Sequence, residues 1–350
     1  MAKAVVACCL AAIHVFVECT PDEVLDSFGV PYIFDSILGG PLAAPMFMFC
    51  MGIGLTYSRD RSPKHLFKRG VIILVMGLLL NTLRYLIPSL IGYHITGDYG
   101  FYISPLPYKF FGNDIWQFAG LAHILMSLML YADLSPFGTL NIAFVLNAIG
   151  MIFLDFECRY DAVNIILGHF IGVGGEGRIY SDFPLLIWFP IYAGGFAYGN
   201  IMNRVKDEDR FYSMITLPCL VVPIAFMFTE YFMGVGMMGG DGVNVFYHMN
   251  LGEELICIIL VIGMMGIYHF LQKNMSKKVI GLIEKISRSL MDIYFFQWVL
   301  VWWAVDFFVN IIQGSRYMDW PQALVLGVIL SFLSVVIGVW WADFVKRFHK

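Results

Sequence analysis

The sequence predicts an all-α fold: a polytopic transmembrane helix bundle of about ten spans, one short re-entrant or interfacial helix, and both termini in the cytoplasm. Three observations predict it. First, 59% of the 350 residues are apolar before the 34 glycines are counted, only 14% are charged, and the mean hydropathy is +0.74. Soluble proteins reach about 45–50% apolar residues with glycine included, and a soluble chain with so few charges would expose aggregating patches. Second, ten segments approach the roughly 20 mostly apolar residues that a span needs. Third, the basic residues alternate between loops as the positive-inside rule requires.

The expected spans run over residues 4–17, 42–58, 70–88, 114–131, 137–154, 183–202, 211–233, 251–271, 290–312 and 323–341. Met-Ala-Lys before residues 4–17 has the outline of a signal peptide, but no A-x-A-like site follows a clear apolar region, so this is read as the first span. Residues 162–173 are apolar but too short to cross, which gives the re-entrant piece. Barrel strands are excluded because they would read as alternating segments of about ten residues.

With the N-terminus inside, the inner segments hold 17 of the 22 basic residues, among them Arg59, Arg61, Lys64, Lys68 and Arg69 in one loop. The outer side holds Arg84, Lys109, Arg159, Arg178 and Arg316. A wrong span count would scramble this split. The outer loops are long: 18–41 is acidic, 89–113 is rich in Tyr, Phe and Pro, and 234–250 is rich in Gly and Met. Substrate selection is therefore expected outside. No repeat and no soluble domain are visible, so residues 1–350 read as one integral-membrane domain.

Other function classes lose support in turn. A net charge of −4, without a basic run interleaved with aromatics, removes nucleic acid as a partner. No C-x-x-C, H-E-x-x-H or Walker loop is present, so no metal is expected. Cys8, Cys9, Cys50, Cys219 and Cys257 fall in apolar stretches; Cys19 and Cys158 would pair only if both faced outside. Gly172 to Gly177 spells G-x-G-x-x-G but follows no soluble strand, and is read as a loop.

The candidate chemistry begins at His14 and Glu18, four apart near the outer end of the first span and hence on one helical face. A carboxylate there would orient and charge-stabilise a general base; the plain alternative is an interfacial histidine and an exposed acid. His123 lies halfway down the fourth span, as an interhelical hydrogen-bonder or a functional group. Asp114 and Gln117 open that helix, where capping explains them equally well. Asn250 and Glu253 read as a capping box. Arg84, about a turn from the expected outer end of the third span, would snorkel or bind an anion or oxyanion. Arg61, Lys64, Lys68 and Arg69 mark topology or bind a phosphorylated cytosolic donor. Gly195 and Gly199 offer a small-residue packing seam.

Several motifs together resemble the bacterial relatives of heparan-alpha-glucosaminide N-acetyltransferase, within the wider superfamily of transmembrane acyltransferases. They are Ala44 to Gly52 running into Tyr57-Ser58-Arg59, then Gln117-Phe118-Ala119-Gly120-Leu121, then Phe183 to Trp188 with Gly195 and Gly199, and Ser287 to Gln297. The chain departs from the pattern where Gln297 replaces a histidine often found after the Tyr of the ninth span.

The resemblance implies acyl transfer from cytosolic acetyl-CoA or another acyl-CoA to a hydroxyl or amine of a glycan-type acceptor at the outer face of a bacterial cell membrane. His14 matches the place of the essential histidine, with Glu18 as its partner. Arg61, Lys64, Lys68 and Arg69 would meet the donor's phosphates, and Arg84, Asp114, Gln117, His123 and Gln297 would line the acceptor site or path. The expected partners are the lipid bilayer and the extracytoplasmic acceptor, and a homodimer is allowed. The alternative class is a secondary transporter or exporter, with which Pro218, Pro223 and the glycines of the sixth span are compatible as helix breaks. A non-catalytic membrane scaffold is the third.

Overall fold

The computed structural model describes residues 1–25, 29–32, 34, 38–40, 42–154, 156–172, 181–239 and 246–348. Among these the regular structure is helical, apart from an isolated parallel bridge between Asn113 and Ser181. Seven helices among the described residues are long and apolar enough to cross a membrane: Ala2–Cys19, Pro63–Thr96, Leu185–Met202, Glu208–Met233, Leu251–Lys273, Leu290–Gln313 and Trp320–Arg347. Three shorter apolar helices, Ala44–Thr56, Ile115–Tyr131 and Pro136–Ile152, fill the remaining expected positions. The fold is an all-α polytopic one, and the short helix Asp161–Gly168 overlaps the segment expected to be re-entrant.

Local chemistry sets the ends. Ser135 caps its helix by accepting from the Gly138 N–H, with Pro136 in the first turn, where it costs no hydrogen bond. Asp207 accepts from the Arg210 N–H, and the helix that follows closes on Gly234 in the left-handed region. Asn250 and Glu253 form the expected box: Asn250 Oδ1 accepts from the Glu253 N–H at 3.2 Å, and Glu253 Oε2 accepts from the Asn250 N–H at 2.7 Å.

Two features differ from expectation. Pro218 and Pro223 sit inside an uninterrupted helix, because a membrane helix keeps its course where neighbours and hydroxyls satisfy the freed carbonyls. Irregular backbone lies instead in π-helical turns that include Thr82–Leu86 and Trp303–Val309. In addition, Lys277–Arg288 forms an amphipathic helix capped by Ser276, where only a basic connection was expected. All seven cysteines are free thiols, so Cys19 and Cys158 do not pair.

The chain forms two compact units, each assembled from distant parts of the sequence: residues 1–46, 80–106 and 268–350 in one, and 47–79 and 107–267 in the other. In the first, Ala2–Cys19 packs along Trp320–Phe348 and against Leu290–Trp302. Ala11, Val15, Phe16, Cys19, Val301, Val305, Ala323 and Leu330 form its core, and the hydroxyl of Ser331 accepts from the Ala12 N–H at 2.9 Å.

In the second unit Leu185–Met202 is the most buried of the long apolar helices, and it packs along Pro136–Ile152. Its glycines make the expected seam with Ala44–Thr56. A Cβ at Gly195 would strike the backbone of Phe49, one at Gly52 the Tyr192 carbonyl, and one at Gly199 the side chain of Thr56. Backbone meets backbone there, as small residues permit between membrane helices.

Candidate functional site

Membrane helices bury apolar groups without a reason being needed; a buried guanidinium needs one. Arg84 is 2% exposed. The expected end of its span was Pro88, but the helix runs on to Thr96 and stops at Gly97 in the left-handed conformation. Arg84 thus lies roughly three turns from the helix end, too far inside to fit the snorkelling position expected for it. Pro88 did not end the helix because it follows the π turn, in the first positions of the next α segment, where a missing N–H is tolerated.

The same π turn presents Arg84 to a polar and aromatic surround. Its Nε donates to Asn81 Oδ1 at 3.0 Å. The guanidinium carbon lies 4.3 Å from the Tyr85 ring centroid and 4.8 Å from that of Trp298, within the range of cation–π attraction, which strengthens on desolvation. Trp303 Nε1 donates to the Leu83 carbonyl at 3.0 Å, and Tyr85 meets Trp302 edge-on at 4.8 Å. The π turn is therefore tied to the ninth apolar helix on both sides of Arg84.

His14 reaches the same tryptophan. Its imidazole centroid is 4.0 Å from the Trp298 ring, with the planes tilted by 37°, and the side chain is half-buried. Gln297, one residue earlier, is fully buried. Among the described residues the Gln297 amide atoms and the Trp298 Nε1–H have no hydrogen-bond partner, an unusual state for buried polar groups. His14, Arg84 and Trp298 thus form a cationic and aromatic cluster within one unit, with the buried Gln297 next to Trp298 in the sequence. Glu18, one turn past His14, has its carboxylate 3.3 Å from Arg316 in a half-buried ion pair.

The remaining candidates lie in the other unit. Asp114 caps Ile115–Tyr131, and Gln117 Oε1 accepts from the Asp114 N–H at 3.3 Å, so both serve a capping box. His123 is buried, its Nδ1 lies 2.7 Å from the Ala119 carbonyl, and its ring is 5.5 Å from Tyr192. A carbonyl only accepts, so Nδ1 carries a proton and Nε2 is left for another partner. The cations of the 59–69 loop are solvent-exposed. Asp60 accepts from the Ser62 N–H at 2.8 Å, a bond that holds its carboxyl below the usual carboxylate range, and its other oxygen lies 3.4 Å from His65. Arg61 Nε donates to the Ser58 carbonyl at 3.4 Å. Lys64, Lys68 and Arg69 follow in the first turns of the Pro63 helix, where the helix dipole itself does not favour positive charge.

The G-x-G-x-x-G stretch, past Gly172, falls outside the described residues, as do residues 240–245 of the Gly- and Met-rich loop. Sequence reasoning missed Trp298, Asn81, Tyr85 and Arg316. Asn81 and Tyr85 were findable three residues before and one after a lone intramembrane arginine, whereas nothing in the sequence singled out Trp298 from seven other tryptophans.

The family model described as an acyltransferase domain matches residues 1–343. No curated protein and no solved structure gives a match. The matched range spans the helices of both units, including the His14 and Arg84 cluster and the exposed basic loop. A chain of apolar helices that carries this domain over nearly its whole length belongs to the acyltransferase-domain family and is a multi-pass membrane acyltransferase.

Proposed function

We propose that this membrane acyltransferase moves an acyl group, acetyl in the simplest case, from cytosolic acyl-CoA to a hydroxyl or amine of a glycan-type acceptor at the outer face of a bacterial cell membrane. The observation that carries the reading is the placing of a half-buried imidazole and a buried guanidinium against one indole, His14 and Arg84 on Trp298. The resemblance to the heparan-alpha-glucosaminide N-acetyltransferase relatives supports the same acceptor class.

In this mechanism His14 takes the proton of the acceptor hydroxyl as its oxygen attacks the thioester carbonyl carbon. The carbonyl oxygen becomes an oxyanion, for which Arg84 supplies positive charge and Trp298 Nε1–H and the Gln297 amide supply donors. The C–S bond then breaks, the new ester is released, or an amide where an amine nitrogen attacks in place of the hydroxyl, and the imidazolium returns its proton to the departing CoA thiolate. No covalent enzyme intermediate is required. Donors fixed in a poorly hydrated setting need no reorganisation when charge develops, which is the source of their effect. The exposed cations Arg61, Lys64, Lys68 and Arg69 contribute charge for the donor's phosphates. Both termini lie in the cytoplasm in this reading.

Purified full-length protein incubated with acetyl-CoA and a panel of hydroxyl- and amine-bearing sugars as acceptors tests it. Release of free CoA thiol is expected, at a rate cut at least about 100-fold by His14→Ala and changed only a few-fold by His123→Ala. The reverse ranking would move the chemistry to His123, and absence of thiol release from the parent would remove acyl-CoA as donor.

A further inference from the structure

A second chemical cluster lies in the unit that lacks His14, and the acyl-transfer mechanism uses none of it. Three sulfurs converge there. The Cys257 thiol is 3.6 Å from the thioether of Met249 and 3.9 Å from that of Met237. Cys257 and Met249 are fully buried and Met237 nearly so. Their backbones are held by buried polar contacts: the Met237 N–H donates to Glu253 Oε1 at 3.1 Å, and Asn147 Nδ2 donates to the Met249 carbonyl at 3.2 Å.

Carboxyl groups surround the sulfurs. Glu254, Glu253 and Glu230 all act electrostatically on Cys257. Glu230 and Glu253 both border Gly236, where an added Cβ would meet a carboxyl oxygen of each. Glu254 is fully buried, and neither of its oxygens has a hydrogen-bond partner among the described residues. The groups acting on these carboxyls among the described residues are one another and the N–H groups of Asn250 and Met237. Gly236, at φ +67°, leaves the space: a Cβ there would strike Glu230 Oε1. A buried carboxyl in such surroundings takes up a proton or a cation.

Ligand type selects the cation. No three His, Cys, Asp or Glu side chains among the described residues make a metal-holding group, so a hard or borderline divalent ion is not favoured. Thiolate and thioether donors select copper(I). Metal–sulfur bonds of about 2.3 Å in a trigonal plane set sulfurs about 4 Å apart, close to the separations found from Cys257. We propose that Cys257, Met237 and Met249 form a copper(I) site, in which the Cys257 thiolate balances the charge of the ion. On binding, the Cys257 S–H bond breaks, an S–Cu bond forms, and the proton is released to solvent. No electron moves.

The test loads detergent-purified full-length protein with copper(I) anaerobically and competes it with bathocuproine disulfonate. The parent should retain one ion that shields Cys257 from alkylation in a peptide-resolved assay. Met237→Leu/Met249→Leu, which keeps all seven thiols, should bind at least tenfold more weakly. X-ray absorption of the parent should show three sulfur neighbours, a readout independent of how the variant folds. Retention unchanged in the double variant, a two-coordinate thiolate spectrum, or protection of cysteines other than Cys257 would mean binding to adventitious thiols only and would overturn the site.

Discussion

The His14 imidazole and the Arg84 guanidinium share one neighbour, the Trp298 ring, at 4.0 and 4.8 Å. The contact makes the indole a positioning element for both groups. A flat aromatic surface limits the orientations of an imidazole, and it attracts a cation whether that cation is Arg84 or a protonated His14. Trp298→Phe keeps a ring but loses the N–H. It is expected to lower kcat by about tenfold with KM for acyl-CoA little changed, if the donor acts on the oxyanion. Trp298→Ala removes the ring too and should lower kcat further. Steady-state kinetics of the two variants separate the contributions; equal losses would assign the whole effect to the N–H.

Arg84 and lysine are not interchangeable in this setting. Lys keeps the charge but has no planar face to lie on Tyr85 and Trp298, and no Nε donor aimed at Asn81. Arg84→Lys is therefore expected to lower kcat at least tenfold. Arg84→Met, which removes the buried charge, should leave the protein no less stable to heat than Arg84→Lys, because an uncompensated buried ammonium is costly. A kcat for Arg84→Lys equal to the parent's would show that charge alone matters there. Thermal unfolding in detergent checks the second half.

Ten apolar helices were legible because the length and hydropathy of a span are written directly in the chain. The π turn at Thr82–Leu86 was not, since Pro88 carries the same signal whether it ends a helix or begins a new α segment after a π turn. His14 and Arg84 could be singled out as rare polar residues in apolar surroundings. Their common neighbour could not, because apolar helices reveal little about which face meets which. Glu18 shows the same limit: helical spacing placed it on the His14 face, and only tertiary structure brings Arg316, nearly three hundred residues later, to 3.3 Å. The Met237, Met249 and Cys257 convergence has no spacing motif at all.

The glycine seam yields a stability prediction that does not depend on the chemistry. At Gly195 the obstacle to a Cβ is the Phe49 backbone, which cannot swing aside as a side-chain tip would. Gly195→Ala should therefore force the two helices apart and destabilise the protein by roughly 1–3 kcal/mol. Gly281, on an exposed stretch with nothing nearby, is the control. Gly281→Ala should be neutral or slightly stabilising, since alanine is the better helix former. Thermal melting of both variants checks it, and an unshifted melting temperature for Gly195→Ala would mean that the helices are not in close contact there.

The 59–69 loop gives a test of donor binding that separates phosphate recognition from topology. Lys64, Lys68 and Arg69 are exposed, on a helix start that the dipole already makes positive, so local helix energetics do not account for them. If they hold the nucleotide phosphates of CoA, charge reversal at the three positions should raise KM for acyl-CoA by at least tenfold while kcat falls less. A truncated pantetheine thioester lacks those phosphates, and its KM should change only a few-fold. Raised ionic strength should weaken the full donor's binding in the parent more than in the reversed variant, because screening acts on exposed charges. The side of the membrane is checked separately. Single cysteines placed in the loop should resist an impermeant thiol reagent in intact cells, and ones placed at 234–239 should label above the parent's background. Equal KM changes for both donors would leave the cluster a topological signal, and the opposite labelling pattern would reverse the direction of acyl transfer.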